Sequence, residues 1–230
     1  MTKPLPKDNI AKLLKRVRLS SQKSQKAESD IVLLAVSKTR PAEDIRAAYE
    51  CGLKQFGESY LQEAVDKIAE LSDLPLTWHF IGPIQSNKTR PIAEHFQWVH
   101  SVDRAKIARR LNDQRPEALP QLQVCLQVNI SGEASKSGIA LEDLAALATL
   151  VEELPRLQLR GLMAIPAATE EESKQRAAFA LLRETFEELK LQHPQLDTLS
   201  MGMSGDMEAA IAEGSTLIRI GTAIFGPRQR

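Results

Sequence analysis

Eight short apolar runs, each joined to the next by a stretch with helical spacing or a helix signal, set the strongest limit on how this chain can fold. The runs predict strands at Ile31 to Val36, Gln55 to Ser59, Trp78 to Gly82, Trp98 to Val102, Leu122 to Ile130, Leu159 to Ala164, Leu196 to Met201 and Thr216 to Gly221. Between them, helices are expected from Pro41 to Tyr49, Tyr60 to Leu71, beyond Asn87 toward His95, from an Asp103 N-cap to Asn112, and at Leu141 to Leu154, Glu170 to Gln192 and Asp206 to Glu213. The first run shows no polar alternation, which reads as a strand buried on both faces, as in parallel sheets. Eight strand–helix units within roughly 200 residues suit a (β/α)8 barrel at the small end of its range. An open doubly wound sheet competes, but the GxGxxG expected after its first strand is missing, and Lys38 stands there instead. The fold class expected is therefore α/β, a single (β/α)8 TIM barrel over 31–226 in one domain, 1–230. An extra amphipathic helix, 8–29, would precede it, with Ile10, Leu13, Leu14 and Val17 on one face. The Ser-Gln-Lys stretch after Leu19 is open to a second reading as a loop.

Composition narrows the functional classes. The 30 Lys and Arg equal the 30 Asp and Glu, so no net field attracts nucleic acid or anionic lipid. Lys12, Lys15, Arg16 and Arg18 have the spacing of a solvated helix face. Cys51 and Cys125 make neither a metal motif nor a disulfide framework, which points to a reducing cytoplasm. Met1 to Ile10 is polar and carries two prolines, unlike a secretory signal. No apolar stretch approaches the ~20 residues that span a bilayer. Four histidines without HExxH or paired spacing argue against a metal. A monomer without membrane or nucleic-acid partners is the expectation.

Barrel enzymes carry their chemistry at the C-terminal ends of the strands. There the chain places Lys38 and Thr39, Glu58 and Ser59, His79 and Gly82, Met163, Ser204 and Gly205, and Arg219 and Gly221. Lys38 has two readings: an amine among apolar neighbours, made nucleophilic by desolvation, or a lysine that snorkels to water. Ser204 and Gly205 before a short helix, and Gly221-Thr222 after the eighth strand, occupy the two loops that frequently build a phosphate site in barrels. Arg219, within Leu217-Ile218-Arg219-Ile220, is costly to bury unless it finds a partner. That partner is either a strand-end carboxylate or a ligand acceptor such as an aromatic ring nitrogen.

A reactive lysine after strand one, a phosphate cradle after strands seven and eight, and Arg219 together describe a pyridoxal 5′-phosphate (PLP) site. The stretches LLAVSKTRP, FGESYLQEAVDKI, WHFIGPIQSNKTR, HSVDR, VNISGEASKSG, LRGLMAIP and MGMSGDMEAAIAEGSTLIRIGTAIFG cover nearly the whole chain. In them the sequence resembles the YggS/PROSC family of PLP-homeostasis proteins, which is similar in fold to the N-terminal barrel of alanine racemase but lacks that enzyme's second domain. The resemblance implies a Schiff base between PLP and Lys38. It implies that Ser204, Gly205, Gly221 and Thr222 hold the phosphate, that Arg219 faces the pyridine nitrogen, and that His79 and Met163 line the ring pocket. Ser59 stands where the family's FGEN-Tyr motif usually has asparagine, and is carried over as a cofactor contact.

Arg219 donates hydrogen bonds and does not accept a proton, so a pyridine nitrogen facing it acts as an unprotonated acceptor and a poorer electron sink. In alanine racemases a tyrosine of the second domain supplies the opposite-face base. Here the tyrosines are Tyr49, mid-helix, and Tyr60, at a helix start, and no second domain is expected. These features favour a non-enzymatic carrier that buffers PLP and delivers it to apo-enzymes. The alternatives are a small PLP-dependent amino-acid racemase or related enzyme with Lys38 as base, and a cofactor-free Schiff-base aldolase. Lys136 is a minority candidate for a second PLP-accepting site.

Overall fold

Each apolar run pairs in parallel with its successor, and the last returns to the first, in a computed structural model that describes residues 6–25, 27–132 and 137–227. The strands are β1 (Val32–Val36), β2 (Gln55–Glu58), β3 (Thr77–Phe80), β4 (Trp98–Val102), β5 (Leu122–Gln127), β6 (Leu157–Met163), β7 (Thr198–Ser200) and β8 (Leu217–Ile220). They close into a barrel in sequence order, with β8 alongside β1 through Leu34 opposite Arg219 and Ala35 opposite Ile220. The helices are α1 (Pro6–Lys23), α2 (Ala42–Glu50), α3 (Leu61–Glu70), α4 (Thr89–His95), α5 (Ala105–Gln114), α6 (Leu141–Glu152), α7 (Glu172–Lys190), α8 (Met207–Ala212) and α9 (Thr222–Phe225). The expected (β/α)8 barrel with an N-terminal helix is the architecture found.

Register separates two environments. Facing residues in parallel strands point the same way, so Ala35 with Phe56, and Phe80 with Val99, turn outward to the helices. There they join the apolar layer of Trp78, Ile92, Phe96, Ile107, Leu111, Leu144 and Phe179. The opposite parity, Val36 with Gly57, Gly57 with His79 and His79 with Trp98, faces the barrel interior. Gly57 leaves that interior no spare room: a Cβ there would lie 3.2 Å from the Leu34 side chain.

Three local expectations change. The first helix starts at Pro6 and stops at Lys23, short of residue 29, because Gln25 turns into the left-handed region (φ 54°) and a 3₁₀ turn, Glu28–Asp30, redirects the chain into β1. The segment after Leu19 stays helical that far since Ser20 and Ser21 are buried and the Ser21 hydroxyl donates to the Arg18 carbonyl. Asp103 does not cap α5: Arg104 occupies the cap position, and the Asp103 carboxylate engages its guanidinium at 2.5 Å. The eighth unit closes with α9, a four-residue turn of helix that directly follows Gly221. Among the described residues, no helix is long and apolar enough to cross a membrane.

Candidate cofactor site

Lys38 sits one residue beyond Ser37 in the turn that leaves β1, half-buried. It lines a small cleft at the C-terminal mouth with Val36, Arg40, Gly221, Thr222 and Gly226. Barrel closure explains the meeting: β1 and β8 are neighbours, so the ends of the first and last strands open on one space. Gly221 lies against Val36, whose carbonyl oxygen would be 3.3 Å from a Cβ on the glycine. The Ser204 hydroxyl accepts from the Ala223 amide at 3.3 Å, which ties the loop after β7 to the first turn of α9. Gly205 opens on free space and borders a wider cleft with Ile165, Pro166, Met203 and Asp206. Burial pushes the Asp206 carboxyl up, against the opposing pull of the Met203 amide that it accepts.

Arg219 is buried in the barrel interior without a hydrogen-bonded carboxylate among the described residues, so the salt-bridge reading fails. Nη1 donates to the Ser200 carbonyl at 2.6 Å and to the Ser200 hydroxyl at 2.9 Å, and Nη2 donates to the Ala164 carbonyl at 2.9 Å. A guanidinium has five N–H groups, so donors on Nε and Nη2 remain for another acceptor. Burial lowers the Arg219 pKa to about 10, which leaves it charged at neutral pH. Met163 ends β6 opposite Ser200 and is fully buried, within the layer that holds Arg219.

His79 does not share the Lys38 cleft. It lies deeper in the interior, stacks on Trp98 with ring centroids 5.4 Å apart, and lines a cavity at the opposite, N-terminal mouth with Gln55, Trp98 and Arg160. Its place near a strand end suggested the pocket, but the inward register puts it in a layer already filled by other side chains. Ser59 is half-buried just past β2, its backbone packed against Gly82, where a Cβ would come 2.4 Å from the Ser59 carbonyl. Lys136 lies outside the described residues.

Gln55, His100 and Ser200 were not singled out from the sequence, yet they join His79 and Arg219 in one hydrogen-bonded chain. Because Gln55 Oε1 accepts from His79 Nε2 and both rings are held neutral, the Ser200 hydroxyl, itself an acceptor from Arg219, gives its proton to His100 Nδ1 at 2.8 Å. His100 Nε2 then donates to His79 Nδ1 at 2.9 Å, and His79 Nε2 to Gln55 Oε1 at 2.6 Å. Both rings are neutral in this direction of donation. Burial holds His79 down at about 3, and burial, then the neighbouring His79 and Arg219, hold His100 well below the usual imidazole range. The one available signal was β4 itself, where Trp98 and His100 share an inward parity.

The chain matches the family model described as alanine racemase, N-terminal domain, over residues 9–229. It is 65% identical to a pyridoxal phosphate homeostasis protein of Pseudomonas aeruginosa, covering 96% of this chain and 95% of the relative. It is 54% identical to the protein of that name from Escherichia coli, again over 96% and 95%. The solved structure of PipY of Synechococcus elongatus with PLP bound superimposes with a TM-score of 0.80 at 45% identity, covering 91% of this chain and 98% of that one. Alanine racemase of Clostridium difficile shares the fold alone, at a TM-score of 0.70, 14% identity, and 93% of this chain against 56% of its own. The chain belongs to the pyridoxal phosphate homeostasis proteins, built on the barrel of the alanine racemase N-terminal domain.

Proposed function

We propose that this chain binds PLP at the C-terminal mouth, covalently through Lys38, and buffers it or delivers it to apo PLP-dependent enzymes without robust turnover. The observation that carries the reading is the single cleft lined by Lys38, Gly221 and Thr222. The donor set suits the cofactor. Lys38 offers a primary amine, Ser204 and the Gly221–Thr222 turn flank the phosphate end, and Arg219 keeps donors for the ring nitrogen. Ser59, Met163 and Gly205 complete the proposed contacts. His79 supports Arg219 through His100 and Ser200 instead of touching the ring.

PLP supplies an aldehyde that condenses with amines and a ring that withdraws electrons. The protein's residues limit the second property. Arg219 donates hydrogen bonds and cannot accept one, so it favours an unprotonated ring nitrogen as its acceptor. Among the described residues the neutral histidine chain behind it meets the site through Arg219, which donates into that chain, so the chain passes no proton outward. Tyr60 is half-exposed at the start of α3 and, among the described residues, is not bonded to a base, which suits packing better than proton abstraction. The carrier reading also takes the protein to act in the cytoplasm as one barrel domain and as a monomer.

The test is a visible absorbance spectrum of protein incubated with PLP, followed by borohydride reduction and peptide mapping, against Lys38→Ala. The expected result is a yellow wild type with the reduced adduct on Lys38 and a colourless variant. A wild type that takes up no PLP overturns the reading and revives a cofactor-free lysine enzyme. Steady amino-acid turnover abolished by Lys38→Ala would replace the carrier with the enzyme.

A further inference from the structure

The turn that carries Lys38 is held from below by three charged residues that the cofactor reading does not use. Glu58 ends β2 and is fully buried, and Lys67 on α3 is 6% exposed. Lys67 Nζ spends its three donors on the Ser37 carbonyl at 2.9 Å, on Glu58 Oε1 at 2.9 Å and on Glu63 Oε1. The Ser37 hydroxyl donates to Glu58 Oε1 at 2.6 Å, and the Thr39 amide donates to Glu63 Oε1 at 2.6 Å. Both neighbours of Lys38 in the chain are therefore fastened to this cluster, one by its carbonyl and hydroxyl, the other by its amide.

Thr39 shows what the fastening imposes. Its φ is +65°, in the left-handed region, which a β-branched residue occupies only where its surroundings require it. On the other side, Arg40 Nη2 donates to the carbonyls of Gly226 and Pro227, so the turn is gripped between α3 and the segment after α9. A buried cluster that couples β2, α3 and this turn is costly to assemble, and breaking it by removing one partner costs more than leaving it out. Its geometry is spent on one thing: the direction in which residue 38 leaves the barrel rim.

We propose that the Glu58–Lys67–Glu63 cluster is a positioning device that clamps the Ser37–Arg40 turn so that the Lys38 amine meets the PLP aldehyde. The proposal rests on Lys38 being the cofactor lysine. In the step concerned, Lys38 Nζ bonds to the aldehyde carbon while the carbonyl oxygen leaves as water with the amine's two hydrogens. The cluster touches none of these atoms; it acts by holding the turn. Misplacing a reacting amine by about an ångström is enough to slow such a step by up to a hundredfold.

Glu63→Ala is the principal variant, because Glu63 is partly exposed and its loss leaves the buried Glu58–Lys67 pair intact. Two quantities are read: amide exchange at Thr39 without PLP, and the rate at which added PLP is trapped on Lys38 by borohydride. The expected result is faster exchange at Thr39 and trapping slowed on the order of tenfold to a hundredfold. Glu63→Gln, which keeps an oxygen for the Thr39 amide, should restore most of both. Lys67→Met should slow trapping at least as much, measured at a temperature where circular dichroism shows it folded. Trapping within twofold of wild type in both Glu63→Ala and Lys67→Met overturns the proposal. So does unchanged Thr39 exchange in Glu63→Ala, or a Glu63→Gln variant as slow as Glu63→Ala. If wild type itself is not labelled at Lys38, the PLP reading fails first, and this inference falls with it.

Discussion

His79 and His100 meet ring nitrogen to ring nitrogen, 2.9 Å apart, inside a barrel from which both are shut off from water. Their neutrality makes stability depend on acidity. His79 is held at about 3 in the fold, whereas an unfolded imidazole titrates near 6.5. The folded-state value lies below the unfolded one, so the stabilisation is complete above about pH 6.5 and is lost as pH falls toward 3. In that window His79 contributes a slope of about 1.4 kcal/mol per pH unit, and His100, held low first by burial, adds in the same direction. Urea unfolding at about pH 7, 6 and 5 should show the decline. His79→Gln should flatten it by the share of one proton, and an unchanged slope would refute the neutral pair.

Arg219 supports the same layer from the other end. Arg219→Gln removes the donors that serve the Ser200 hydroxyl, the Ser200 carbonyl and the Ala164 carbonyl. Leaving buried acceptors unserved should cost about 2–4 kcal/mol in unfolding free energy. PLP affinity should fall as well. Ser200→Ala keeps the carbonyl contact and should cost less, about 1–2 kcal/mol. Equal losses for the two variants would contradict this division.

Two glycines separate fold from site. At Gly82 a Cβ would come 2.4 Å from the Ser59 carbonyl oxygen, backbone that cannot yield cheaply. Gly82→Ala should therefore destabilise the protein by about 3 kcal/mol or more, the range of overpacking and backbone displacement. At Gly221 the nearest atom would be 3.3 Å away, so Gly221→Ala should cost the fold about 1 kcal/mol or less. Its methyl group would nonetheless stand beside the proposed phosphate, and PLP binding should weaken roughly tenfold, about 1.4 kcal/mol. Thermal unfolding without PLP, set against a PLP titration, distinguishes the two.

At the N-terminal mouth, Arg160 lies over the Trp98 ring at 4.8 Å, binds Asp197 through both guanidinium ends and reaches Gln123. The ion pair is partly exposed and counts for little by itself. Removing the stacked cation should still change Trp98 fluorescence and cost about 1 kcal/mol. An emission spectrum of Arg160→Ala identical to wild type would argue that the stacking is absent in solution.

The barrel was legible because its strand signals lie within each segment: Val32–Val36 and Trp98–Val102 need no distant information to be read as strands. The meeting of Lys38 with Gly221 and Thr222 followed from closure, since first and last strands must then adjoin. What lay beyond the sequence was register. His79 reads as a strand-end residue, and only its pairing with Gly57 and Trp98 shows that it faces an inner layer filled by side chains. His100 bonds Ser200 across a hundred residues, a contact no local pattern encodes. Asp103 carried a cap signal that its neighbour Arg104 diverted. Glu58, Glu63 and Lys67 stood within a recognisable motif, but their convergence on one turn depends on how α3 lies against β1 and β2.

Helix α1 buries Ile10, Leu13 and Val17, worth roughly 1.5–3 kcal/mol each, and packs mainly against α9, α8 and α2. Two of those three partners come from the far end of the chain. On the ribosome, this apolar stripe must therefore wait until α8 and α9 have been made before those partners can cover it. The β1–β8 seam waits on the same segment. Barrel closure and helix docking thus fall on one late event, with a long chain loop to close. A nascent chain that stalls short of residue 207 would leave this stripe and an open sheet edge exposed together, the kind of surface that makes unfinished chains prone to aggregate.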